Sequence, residues 1–270
     1  MATQGIPITW VDAFTDTPFA GNPAAVCVLA EPLDEATMQS LAFELGIAET
    51  AFVTPTASRS TFGLRWFSPA TEIDLCGHAT LATAHALRQA GIVGGETPLT
   101  FHTRSGALVA SFEGDGVISL DFPADAIAEG SLPPALAGQW SEASITFCGN
   151  TDFFSFVALD SAALVRDYQP DLAAIAAVGS KALLLTAPAD PGSGDDYVLR
   201  VFGPNVGIDE DPGTGSAQCS AGPYWAKILG RDRLRARQLS PRGALLVVRP
   251  AGDRVHIAGS ATTVLSGRLC

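Results

Sequence analysis

The chain has 270 residues, 47% of them hydrophobic and 16% charged, with a formal net charge of −12. That balance describes a folded chain long enough for two lobes, each with its own core. A surface this acidic repels nucleic acid and anionic membrane, so neither is an expected partner.

The first helix signal is Asp34, a capping residue ahead of Met38, Leu41 and Leu45 on one face, with Gly46 as the stop. A strand-like word, TAFV, follows Glu49. Beyond Gly77 the run ATLATAHALRQAG is small and apolar on nearly all sides, as a helix wrapped by sheet should be. Ile118, Leu120 and Phe122 alternate with Ser119 and Asp121, a strand signal. Alanine, glycine and proline then cluster from Pro123 to Pro134, where a link between halves is expected. Pro170-Asp171 opens a second short helix through Ile175, with Gly179 as its stop. A further helix is expected after Gly215, in SAQCSAGPYWAKILG, with a kink or late restart at Pro223 because proline removes a helical hydrogen bond. Val255 and Ile257 flank His256 in a strand pattern, and the last strand is expected to cross back to the first lobe. The lobes are therefore placed at residues 1–125, completed by 262–270, and 126–261.

The halves repeat one another in short words. LRWFSP at 64–69 returns as LRVFGP at 199–204, an offset of 135. Gly77-His78-Ala79 is echoed by Gly215-Ser216-Ala217, and Gly106-Ala107-Leu108 by Gly243-Ala244-Leu245. Gly114-Asp115 recurs as Gly252-Asp253, and AFVT at 51–54 as LLLT at 183–186. Five echoes in one order at nearly one spacing predict a duplicated fold of α+β class.

Each half delivers a glycine turn into a helix, DLCGHAT at 74–80 and DEDPGTGSA at 209–217. Helix starts expose free N–H groups and the positive end of the dipole, so Gly77, Gly215 and Ser216 suit a carboxylate. Neither turn matches a phosphate loop or a dinucleotide fingerprint, and no cofactor is expected. Glu49, at the mouth of a buried strand, suits a proton shuttle; on its neighbours alone it also reads as a solvated turn glutamate. His78, in the first helical turn, can hydrogen-bond a substrate or orient a proton. Cys76, just before the helix, is the one cysteine placed to be reactive, since a helix start stabilises thiolate. The others, Cys27, Cys148, Cys219 and Cys270, read as small buried hydrophobes. The odd count, with no CxxC and only four histidines, argues against a disulfide framework and against a metal site. With no secretory signal and no long apolar run, a cytoplasmic location is expected.

Four words carry a resemblance: VDAFTDTPFAGNPAAVCVL (11–29), ETAFV (49–53), LRWFSPATEIDLCGHATLATA (64–84) and DEDPGTGSA (209–217). Together they resemble the phenazine biosynthesis-like protein family. The resemblance implies the fold of diaminopimelate epimerase and proline racemase: two pseudo-symmetric lobes, each a curved, mostly antiparallel sheet around a central helix. It implies Glu49 as general acid/base, His78 and Asp211 as catalytic polar residues, and Asn22, Gly77, Gly215 and Ser216 as substrate contacts. Cys76 joins those contacts by its place before the helix and departs from the family pattern, since the phenazine isomerase proper does not use a cysteine there. The implied reaction is that of an isomerase of trans-2,3-dihydro-3-hydroxyanthranilate or a similar small carboxylate, in a homodimer. The epimerases set one cysteine before each central helix, whereas Asp211 and Gly213 stand in the second region here. Two-thiol racemisation is thus unsupported, leaving an epimerase using Cys76 with Asp211, or a non-catalytic binding protein, as alternatives.

Overall fold

The computed structural model describes residues 5–269; Cys270 lies outside them. The first half runs β1 (Ile6–Ala13), β2 (Asn22–Val28), α1 (Glu35–Leu45), β3 (Glu49–Pro55), β4 (Thr61–Phe67), β5 (Glu72–Ile73), α2 (Gly77–Gln89), β6 (Leu99–Thr103), β7 (Gly106–Phe112) and β8 (Ile118–Pro123). Next come β9 (Ala128–Glu129), β10 (Ile145–Asn150), β11 (Phe154–Leu159), α3 (Ala162–Arg166), α4 (Leu172–Ala176), β12 (Ala182–Pro188), β13 (Tyr197–Gly203) and β14 (Ile208–Asp211). The chain closes with α5 (Gln218–Leu229), β15 (Leu234–Gln238), β16 (Ala244–Ala251), β17 (Arg254–Gly259) and β18 (Ala261–Leu269). No helix among the described residues is long and apolar enough to cross a membrane. The chain divides into two compact units, residues 1–121 with 258–270, and residues 122–257.

In the first unit β1 pairs antiparallel with both β2 and β18. Strands β2 and β3 are parallel, β3 and β4 antiparallel, β4 and β6 parallel, and β6, β7 and β8 antiparallel in turn. A parallel pair requires a crossover, and each crossover here carries a helix, α1 between β2 and β3 and α2 between β4 and β6. The second unit follows the same rule. β11 and β12 are parallel around α3 and α4, β12 and β13 antiparallel, β13 and β15 parallel around α5, and β15 and β16 antiparallel.

Side-chain alternation decides what each face of the first sheet covers. Ala25, Cys27 and Phe52 pack with Met38, Ala42 and Ile47 under α1. Fully burying a side chain such as Phe52 contributes about 2–3 kcal/mol. The alternate residues, Asn22, Ala24 and Val26 on β2 and Glu49, Ala51 and Val53 on β3, therefore face the other way, toward α2, which packs on β1, β2 and β3. Ala24 and Ala51 on the strands, and Ala79, Ala82 and Ala86 on the helix, are small and buried. Small residues on both partners let this helix lie close against the sheet.

The caps of α1 are as expected: the Asp34 carboxylate accepts the Thr37 N–H and Gly46 closes the helix in the left-handed region at φ 61°. The fourth helix starts at the Asp171 cap but ends at Ala177, ahead of Gly179. Helix α3, capped by Ser161, was not anticipated. Pro223 lies inside α5, which continues from Gln218 to Leu229 without the restart that was the alternative to a kink. The carbonyl that proline leaves unpaired is that of Cys219, four residues back, and it accepts the Asp125 N–H at 2.9 Å instead. Gly215 and Ser216 sit in a tight turn just ahead of α5, their carbonyls accepting from Gln218 and Cys219.

Arg65 on β4 grips Glu72 on β5 through two bonds of 2.7 Å, with Arg104 on the same carboxylate. The Arg65 guanidinium holds the Glu72 carboxyl below its usual range. A depressed carboxyl stabilises the fold above its unfolded pKa, about 4.3, and the gain is lost as pH falls through the folded value. Glu72→Gln is therefore expected to cost about 2 kcal/mol at neutral pH. In urea melts that gap should close as the pH drops below about 4.

Candidate active site

Strand direction gathers the site. Ala24 of β2 lies beside Glu49 of β3 in a parallel pair, so both strands begin at one end of the sheet. Asn22 and Glu49 are the first residues of those strands. Phe67, the last residue of β4, is opposite Thr50. The chain thus leaves β4 at that same end and passes through β5 into α2 by way of Cys76. The start of α2, with Cys76, Gly77 and His78, arrives beside Asn22 and Glu49.

The contacts are close and dry. Glu49 and His78 are each only 6% exposed. The Glu49 Oε2 atom lies 3.0 Å from His78 Nε2. No hydrogen bond of good direction reaches that oxygen, so the contact is a close approach of two groups that can carry opposite charge. The amide Nδ2 of Asn22 is 3.1 Å from His78 Nδ1. When the amide donates, Nδ1 keeps its lone pair and the ring proton sits on Nε2, facing Glu49. A doubly protonated ring is met by the same amide turned half round, carbonyl toward Nδ1. The Cys76 sulfur is 3.5 Å from Nδ1 and 3.9 Å from Nε2. The Thr50 hydroxyl, fully buried next to Glu49, has no hydrogen-bond partner.

Burial disfavours a charged imidazole, but the Cys76 sulfur and the Glu49 carboxylate outweigh it and hold His78 well above the ordinary histidine range. Burial pushes the Cys76 thiol up, against the pull of His78, and the Glu49 charge adds to the rise. Burial thus opposes the thiolate that the helix start was expected to favour. Cys27, Cys148 and Cys219 are buried and unpaired, with Cys27 and Cys219 pushed up to about 12 by desolvation.

The turn before Asn22 is built under strain. Phe14 and Phe19 both hold left-handed backbone, at φ 61° and 69°, where residues with a Cβ rarely sit. The buried Asp12 carboxylate accepts the Phe19 N–H at 2.7 Å and fixes the turn. Gly21 has φ 65°, and a Cβ there would fall 2.2 Å from the Ala13 carbonyl oxygen. Gly21→Ala is expected to cost about 3 kcal/mol and to move Asn22 off His78; denaturant titration checks the first and the His78 ring chemical shifts the second.

Asp211, Gly215 and Ser216 belong to the second unit. Asp211 Oδ1 accepts the Gly213 N–H at 3.2 Å. This loop is held by Gln238, whose side chain accepts the Thr214 N–H and donates to the Asp211 carbonyl and the Thr214 hydroxyl. Ser240 donates to the Pro212 carbonyl, and Gln218 bonds both Thr214 and Tyr197. None of Gln238, Ser240, Gln218 or Asp12 was marked by the sequence reading. Only the polar ends of their strand words hint at them.

Comparison with known proteins agrees over the full length. The family model described as phenazine biosynthesis-like protein matches residues 11–267. An uncharacterized isomerase of Halalkalibacterium halodurans is 39% identical over 263 residues, covering 97% of this chain and 98% of the relative. The crystal structure of a PhzF-family phenazine biosynthesis protein of Enterococcus faecalis has a TM-score of 0.90 at 37% identity, covering 99% of this chain and all of that one. A hydroxyproline epimerase of Agrobacterium vitis has a TM-score of 0.66 at 15% identity, covering 99% and 93%, a likeness of fold. The α+β, epimerase-like fold is thus the observed one, and the chain belongs to the phenazine biosynthesis-like protein family as an isomerase of that family.

Proposed function

We propose that this isomerase moves a proton between two carbons of a small carboxylate-bearing substrate of the trans-2,3-dihydro-3-hydroxyanthranilate type, with Glu49 as the acid/base. One observation carries the reading: a buried carboxylate oxygen, Glu49 Oε2, receives no directed hydrogen bond yet sits 3.0 Å from a histidine edge. Such an oxygen is an available proton acceptor in a dry setting. Glu49 takes a proton from one carbon, the C–H electron pair shifts the neighbouring double bond, and Glu49 returns the proton to the far carbon. The enol so formed then becomes a ketone. His78, held charged, faces the negative charge that develops, and Asn22 keeps its ring in plane. Cys76 puts no capping side chain on the start of α2, which leaves its N–H groups suited to a carboxylate. An epimerase working through Cys76 needs a thiolate, which burial opposes.

The test is solvent exchange. A panel of cyclic and amino-acid carboxylates is incubated with the enzyme in deuterium oxide and followed by proton NMR. The reading requires loss of a ring C–H signal with wild type and none with Glu49→Gln. Exchange at an α-carbon that disappears in Cys76→Ala would replace it with the epimerase.

The role of Asp211 is a separate proposal resting on the family motif, tested by Asp211→Asn in the same assay.

A further inference from the structure

The side chains proposed to move the proton also form a donor set of another kind. Glu49, Cys76 and His78 each bring one ligand atom to a group whose members all lie within 4.8 Å of one another. His78 Nε2 is 3.0 Å from Glu49 Oε2 and 3.9 Å from Cys76 Sγ. A tetrahedral Zn²⁺ bonded at about 2.0–2.3 Å to oxygen, nitrogen and sulfur spaces its ligand atoms roughly 3.3–3.7 Å apart. These two separations fall within a few tenths of an ångström of that range, one short and one long, and the carboxylate and the sulfur lie within 4.8 Å of each other. The sulfur is nearer Nδ1, at 3.5 Å, so the His78 ring must turn for one nitrogen to share an ion with both partners. Thiolate, imidazole and carboxylate are the ligand types zinc selects.

Two further observations favour a ligand here. The Glu49 side chain is just over nine-tenths buried, with its Oε2 free of any directed hydrogen bond, so no existing bond must break to free that lone pair. Behind the ring, the Asn22 amide contacts His78 Nδ1 at 3.1 Å. With its carbonyl turned to Nδ1–H it would orient a metal-bound imidazole, as outer-sphere partners commonly do. Sequence spacing hid this set, since residue 49 lies far from the pair at 76 and 78.

We infer that Glu49, Cys76 and His78 form a binding site for a thiophilic divalent cation, Zn²⁺ above all, and that its occupancy switches the isomerase off. The second half rests on the acid/base reading of Glu49: a cation on Oε2 takes the lone pair that would receive the substrate proton. Binding exchanges the thiol proton, and the imidazolium proton when present, for one ion; both protons go to solvent and no electrons are transferred. Three protein ligands leave a fourth position open to water.

The probe is Co²⁺, added to the metal-stripped full-length protein. A sulfur-to-cobalt charge-transfer band in the near ultraviolet, with visible bands of a four-coordinate ion, should saturate at one equivalent and vanish on adding Zn²⁺. The band should be lost in Cys76→Ala and persist in Cys27→Ala. Cys76→Ser, whose hydroxyl gives no such band, serves if the alanine variant does not fold. Glu49→Gln and His78→Gln should each weaken cobalt binding by about tenfold or more. A band that survives in Cys76→Ala, or wild type that gives none, overturns the site. One equivalent of Zn²⁺ should also stop the deuterium exchange of the wild type; undiminished exchange with the ion bound overturns the switch. The two ideas fail separately. If Glu49→Gln abolishes exchange while no band forms, the acid/base reading stands alone. If the band forms and Glu49→Gln exchanges normally, only the cation site stands.

Discussion

Glu49→Gln is expected to lower turnover by roughly 10²–10⁴-fold while the protein stays folded. Glutamine keeps the size and one carbonyl oxygen of glutamate but cannot accept a proton from carbon. The substitution removes one of the two groups that raise His78, Cys76 being the other and the larger. Glutamine preserves the packing of the pocket, so the thermal midpoint should change little. Cys76→Ala should retain turnover within a few-fold, because a thiol pushed up by burial is not the base. Circular dichroism establishes the fold of each variant and deuterium exchange its chemistry. Exchange by Glu49→Gln at the wild-type rate would leave the site without its base.

What could be read from the sequence divides by the range of the physics involved. The Asp34 and Gly46 caps of α1 were legible because a cap is decided within four residues. The words LRWF and LRVF were legible as equivalent strands, and they form β4 and β13, each antiparallel to the strand before it and parallel to the strand after the helix. Glu49 was ambiguous because its burial comes from pairing with Ala24, 25 residues away, and from a helix nearly 30 residues further on. No local window contains those partners, so the family motif was the sequence signal that singled it out. The desolvation of Cys76 was hidden for the same reason: a helix start is local and visible, whereas burial is not. That α5 continues through Pro223 without a restart was not legible, because Asp125, nearly 100 residues distant, donates to the carbonyl that the proline leaves unpaired.

The largest stability effect is expected at Arg200, in the second unit's LRVF word. Its side chain is 9% exposed, and the guanidinium makes two bonds to Glu210, of 2.7 and 2.8 Å. Its Nη1 also donates to the carbonyls of Val165, Arg166 and Tyr168, at 3.3, 3.3 and 2.7 Å. Two of those carbonyls are the last of α3, so Arg200 closes that helix as well as holding β14. The guanidinium further stacks over the Phe202 ring at 4.8 Å. Methionine would fill much of the space and satisfy none of these acceptors. Leaving the Glu210 charge and three carbonyls unpaired should cost about 3–5 kcal/mol, a fall in midpoint of roughly 6–15 °C. Arg65→Met removes a similar pair from β4, but the Arg65 side chain is 35% exposed; it bonds Glu72 and Glu35 and lies over the Phe67 ring at 5.1 Å. Water can replace much of what it provides, and the cost should be nearer 1–2 kcal/mol. The double variant Arg200→Met with Glu210→Leu separates the causes. If the stranded charge dominates, the second substitution restores most of the midpoint; if the helix end does, it restores little. An Arg200→Met protein melting within about 2 °C of wild type would mean that neither the ion pair nor the helix closure limits the stability of this unit.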